Sequence, residues 1–150
     1  MNAILSLGLL ALMAGMLIPV QAAANASLSK SLQGNVPYSA LTLFIVAGVT
    51  AITAILLTGA KLPSFKEFGA APWWSYIGGI IVASYVLTIT FLVPRIGVGS
   101  AISIIVTGQI IAALAIDQFG FLNAPRFPMT SVRIIGAVLM VTGVFLATRR

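Results

Sequence analysis

The chain has 150 residues, of which 60% are hydrophobic and 7% charged, with a net charge of +6 and neither Cys nor His. Soluble domains carry about 25% charged residues, so a water-soluble enzyme is excluded, together with disorder and a coiled coil. The eight Lys and Arg are scattered apart from the terminal Arg149-Arg150 and form no basic stripe or patch, which excludes a nucleic-acid module. Thiolate, disulfide, zinc and imidazole chemistry fall away as well, and nothing calls for a cofactor or a metal.

A membrane-crossing helix needs about 20 mostly apolar residues. Breaks at charges, Pro and Gly leave five such stretches, and backbone pairing in lipid makes them helices. The predicted fold is an all-α polytopic bundle, with residues 1–150 forming a single five-helix transmembrane domain.

The first span, 3–24, is uncharged. It imitates a secretory signal peptide through Ala22, Ala24 and Ala26. No Lys or Arg precedes it, however, and its apolar run exceeds the usual ~7–15 residues, so it is expected to remain as a spanning helix. Pro19 frees the carbonyl of Gly15, and Gln21 and Asn25 lie one turn apart beyond it. Leu28 and Leu32 predict that this helix continues past the membrane surface and ends at a C′ glycine, Gly34.

The second span, 37–59, opens on Pro37 and is closed by Gly59 and Lys61. Leu62, Phe65 and Phe68 then predict a short interfacial helix, with Glu67 beside Lys66 read as solvated. The third span, 72–93, opens on Pro72-Trp73-Trp74 and carries Tyr85 near its centre. Trp73, Trp74 and Tyr76 suit an interfacial aromatic belt; a cation–π cage for a positive solute is the sharper alternative. Pro94-Arg95-Ile96 reads as a short link that makes the third and fourth spans antiparallel neighbours.

The fourth span, 97–117, holds Gln109 near its middle and Asp117 at its end. Gln109, Ala113 and Asp117 fall on one line. Two readings stand for the polar groups Gln21, Tyr85 and Gln109. They line a cavity between the first, third and fourth spans, or they hydrogen-bond between helices for roughly 0.6 kcal/mol each. Asp117 sits where the helix dipole disfavours an anion. It therefore needs a partner such as Arg126 or a water shell, or it serves as a cation or proton site. The fifth span, 131–147, is closed by Arg149-Arg150.

Small residues at spacing four mark helix contact faces in lipid. Ala11 with Gly15, Gly79 with Ala83, Gly99 with Ser103, and Gly108 with Ala112 are the expected seams. Gly136 and Gly143 share one side of the last span and suit a dimer.

Orientation in a membrane follows Lys/Arg in short loops. Lys30, Arg95, Arg149 and Arg150 fall on one side; Lys61, Lys66, Arg126 and Arg133 fall on the other. The bias is zero. Such a chain is expected to insert both ways and pair as an antiparallel homodimer, giving two inverted halves. A single orientation set by other factors is the alternative.

Several elements resemble the five-helix YdcZ-like family of the drug/metabolite transporter superfamily, found in bacterial inner membranes. They are Pro19-Val20-Gln21 with Asn25, Pro72-Trp73-Trp74, Pro94-Arg95-Ile96-Gly97, Gly108-Gln109, Asp117-Gln118-Phe119-Gly120 and the terminal Arg149-Arg150. The resemblance implies two five-helix units paired in inverted orientation, like the halves of ten-helix superfamily members. A more distant likeness to small multidrug exporters lacks their membrane-embedded glutamate in the first helix.

The expected function is therefore a transporter subunit in the bacterial inner membrane that moves a small organic solute by alternating access as an antiparallel dimer. The candidate substrate-binding residues are Gln21, Asn25, Trp73, Trp74, Tyr85, Gln109 and Asp117, with lipid and a second copy as partners. The rival readings are a non-transporting membrane scaffold and one half of a heterodimeric transporter.

Overall fold

The computed structural model describes residues 2–148; Arg149-Arg150 lie outside the described residues. Every regular element among these is helical. Helix α1 spans Asn2–Ser31 and α2 Val36–Thr58, followed by a short α3, Phe65–Ala70. A 3-10 turn, Trp73–Ile77, leads into α4, Gly78–Ile96. Helices α5 and α6 cover Val98–Phe119 and Ser131–Thr148. The segments Leu5–Ser31, Val36–Thr58, Trp73–Ile96 and Val98–Phe119 are long and apolar enough to cross a membrane. Helix α6 is shorter: its 18 residues reach about 27 Å at 1.5 Å per residue, just under a hydrocarbon core of about 30 Å.

The helix ends show which local forces decide them. Helix α1 closes in a Schellman motif, with Gly34 N–H donating to the Ser29 carbonyl at 2.8 Å and Gln33 N–H to that of Lys30 at 3.2 Å. The left-handed C′ position is therefore taken by Gln33, at φ 58°, and Gly34 follows at φ 81°. The expected C′ glycine is displaced by one residue, because two consecutive left-handed residues make the turn into α2. Asn35 caps α2 by accepting from Tyr38 N–H at 3.3 Å. Gly59, at φ 63°, ends that helix.

Helix α4 runs through Pro94 and Arg95 to Ile96, so the expected three-residue link is helical and Gly97, at φ 83°, stands alone between α4 and α5. A proline in the last turn costs only the bond its missing N–H would have made. That bond would have gone to the carbonyl of Thr90.

Glu67 is more than a solvated charge. Its Oε2 accepts from Ser64 N–H at 2.6 Å and Ser64 Oγ at 2.8 Å, while Ser64 Oγ accepts from Glu67 N–H at 3.3 Å. This reciprocal capping box starts α3. The bond from the Ser64 backbone N–H, then that from its hydroxyl, hold the Glu67 carboxyl below its ordinary pKa of 4.5. A lowered carboxyl contributes stability above its unfolded pKa and loses it as pH falls through the folded one. NMR titration should place the midpoint of the α3 amide shift change below pH 4.5. In Glu67→Gln, which keeps the box without the charge, that acid step should vanish.

The chain forms two compact units, residues 1–95 and 96–150. In the first, α1 packs on α2. Its buried positions are few and ordered. Ala22, Asn25, Ala26 and Ser29 follow i, i+3, i+4, i+7 on α1, Val86, Ile89, Thr90 and Val93 repeat that spacing on α4, and Ser39 and Ala40 come from α2. The Ser39 hydroxyl donates to the Asn25 carbonyl at 2.8 Å. By contrast, residues 5–18 are exposed without interruption, and Leu, Ile, Val and Phe dominate the exposed positions of the long helices. Lipid tails are as apolar as those side chains, so nothing drives them inward.

In the second unit α5 packs on α6. The connection folds back on the end of α5: Phe127 N–H donates to the Asp117 carbonyl at 2.9 Å and Met129 N–H to Gln118 Oε1 at 2.6 Å. Gly120 closes α5 at φ 66°, where a Cβ would stand 2.8 Å from Arg126 Cγ, so glycine is demanded twice over. Among the described residues, the glycines of the expected small-residue seams stand clear of the other elements of their own unit. A Cβ placed on Gly15, Gly79, Gly99, Gly108, Gly136 or Gly143 would meet nothing within 4 Å.

Candidate functional site

The first unit contains a cavity of about 1020 Å³ at the C-terminal ends of α1 and α4. Ala26, Ser27, Ser29, Lys30, Gln33, Gly34 and Val36 line it from α1 and the turn into α2, and Thr90, Phe91, Pro94 and Arg95 line it from α4. The wall is more apolar than polar. Both of its charges are positive.

Thr90 is the unusual group. It is 0% exposed, and its hydroxyl has no hydrogen-bond partner. Elsewhere in the helices Thr42, Thr50, Thr53, Ser84, Thr107 and Thr142 return their hydroxyl proton to the carbonyl four residues back, the usual resort of a hydroxyl in lipid. Thr90 does not. One buried hydroxyl of α4 therefore goes unspent beside the cavity. Leaving such a group unpaired costs about 1–3 kcal/mol. Asn25 is similar: only 6% exposed, with an unpartnered side-chain NH2, and it lines a smaller cavity of about 340 Å³ between α1 and α2 with Leu28, Thr42 and Val46.

Arg95 is held in place. Its guanidinium lies 3.4 Å from the centroid of the Phe91 ring, and Nη1 donates to the Phe91 carbonyl at 2.5 Å. A stacked, singly bonded guanidinium keeps further N–H groups for a ligand.

The residues expected from the sequence are distributed differently. Gln21, half-buried, and Asn25 lie on α1, in line with Ser29. Tyr85 is half-buried on α4. Trp73, 77% exposed, and the half-buried Trp74 begin the 3-10 turn at the opposite end of that element. Gln109 and Asp117 belong to the second unit, Gln109 exposed and Asp117 half-buried. Asp117 Oδ2 is paired with Arg133 Nη2 at 2.7 Å, rather than with Arg126, whose Nε donates to the Phe119 carbonyl at 3.2 Å. Arg133 Nη1 also donates to the Phe127 carbonyl at 2.9 Å.

None of these seven residues lines the larger cavity. Thr90, Ser29, Lys30 and Arg95 do, and they went unselected as binding residues. The two cations carried a signal, since both fell on one side of the membrane in the loop count.

A family profile described as "Putative inner membrane exporter, YdcZ" matches residues 6–146, nearly the whole chain. The chain belongs to the YdcZ family. It is a multi-pass inner-membrane protein, as its apolar helices require. No curated protein and no solved structure matches it. For this YdcZ-family chain the cavity, rather than a borrowed template, has to carry the site.

Proposed function

We propose that this chain is one subunit of an exporter that carries a small organic solute by alternating access, built from two copies inserted in opposite orientations. The observation that carries the reading is the buried, unpartnered Thr90 hydroxyl beside a cavity large enough for a solute. Helices that only need gluing spend such groups on each other. A carrier keeps them for what it carries.

Other features support the same reading. Gln21, Asn25 and Ser29 form a polar line on α1 leading from the membrane interior to the cavity. The exposed stretch 5–18 of α1, with open space at Gly8 and Gly15, leaves room for a second copy. Inverting that copy would bring its Trp73 and Trp74 to the membrane face where this chain has its cavity, as a vestibule. The assembly would then resemble a ten-helix drug/metabolite transporter, with α6 as the fifth span.

Reconstitution into liposomes tests the function. At least one solute from a panel of carboxylates, phosphates, amines and neutral metabolites should cross faster than in empty liposomes. If none does, the chain is a membrane scaffold and the exporter reading falls.

A further inference from the structure

The substrate class can be taken further, building on the exporter reading for the cavity's occupant. We propose that the cavity binds the anionic group, carboxylate or phosphate, of an aromatic or otherwise apolar-bodied molecule. Lys30 and Arg95 both reach it, from different helices. No acid lines it, and among the described residues the one ion pair is Arg133–Asp117, in the other unit. Glu67, the only acid of the first unit, is committed to the cap of α3. Two cations therefore share one cavity without a counter-ion.

Cations at helix C-termini do complement the backbone dipole, and both of these sit in last turns. That explains their position along each helix but leaves two further facts. Arg95, though exposed, is stacked on the Phe91 ring and bonded to the Phe91 carbonyl. Beside it, Thr90 keeps a buried hydroxyl proton with no acceptor. Carboxylate or phosphate oxygens answer both needs: they accept from the hydroxyl and pair with the guanidinium and ammonium. Phe91, Val36 and Ala26 supply the apolar wall for the rest of the molecule.

An anionic lipid headgroup and a free anionic solute share this chemistry, so the experiment needs an arm for each. The full chain in phosphatidylcholine nanodiscs is dialysed to equilibrium with phenyl phosphate, phenylacetate, phenethylamine and phenethyl alcohol. The two anions should bind about tenfold or more tighter than the amine and the alcohol. Lys30→Gln with Arg95→Gln should abolish that preference, while Lys30→Arg with Arg95→Lys keeps most of it. In the second arm, nanodiscs containing phosphatidylglycerol should displace the aryl anions if the headgroup is the occupant, and leave their binding intact if a soluble solute is. Either outcome upholds an anion site and names its source. Equal binding of the amine or the alcohol by the wild type overturns the proposal, and needs no variant to fold. Anion binding without flux in liposomes would remove the exporter reading alone; flux restricted to neutral or cationic solutes would remove this proposal alone.

Discussion

Replacing Thr90 by Val is expected to make the protein more stable and a poorer carrier. The two side chains have nearly the same shape, so the buried stripe of Val86, Ile89, Thr90 and Val93 keeps its packing. The substitution removes a buried hydroxyl that the fold leaves unpaired, and relieving such a group returns about 1 kcal/mol or more. Thermal unfolding in detergent should shift upward by a few degrees, in line with about 1 kcal/mol for a domain of this size. Solute binding should weaken about tenfold, the worth of one hydrogen bond to a charged group. Thr50→Val, which removes a hydroxyl already bonded to the Val46 carbonyl at 2.8 Å, is the control and should leave binding unchanged. A stabilised Thr90→Val that transports like the wild type would show that Thr90 is unpaired for no functional reason.

A larger effect should follow from locking the orientation. Lys61→Gln with Lys66→Gln leaves four cations against two and directs the Lys30 and Arg95 loops to the cytoplasm. Arg149→Gln with Arg150→Gln leaves two against four and directs them outward. Neither Lys61 nor Lys66 lines the cavity. If the exporter is an inverted pair of one chain, each locked form alone should lose nearly all flux, because it cannot supply its own inverted partner. Co-expressed, the two should recover it. Flux from either locked form alone would show that parallel copies, or single ones, suffice.

The contrast between what the sequence revealed and what it hid follows from where the information sits. Spans and turns are written in local runs, so residues 37–59 already announced a helix that closes on Gly59. Helix ends depend on single bonds. Pro94 looked like a terminus, yet its missing N–H is harmless in a last turn, and the helix passed through it. The partner of Asp117 was hidden for a different reason. Arg126 is nearer in sequence, but the link folds back on α5 and sets Arg133, in the first turn of α6, beside the last turn of α5. Thr90 could not be told from Thr88, two residues away on the same helix, because one is buried and the other exposed and only tertiary contacts distinguish them. Lys30 and Arg95 were legible as topology markers. Their convergence on one cavity required the fold.

The most direct test of the inverted pair needs no substrate. The full chain is fused at its C-terminus to a reporter active only in the cytoplasm and, separately, to one active only outside the inner membrane. The even split of Lys and Arg predicts comparable, substantial signal from both fusions at equal expression. Signal from one compartment alone would contradict it and leave a single-orientation carrier or a heterodimer in its place.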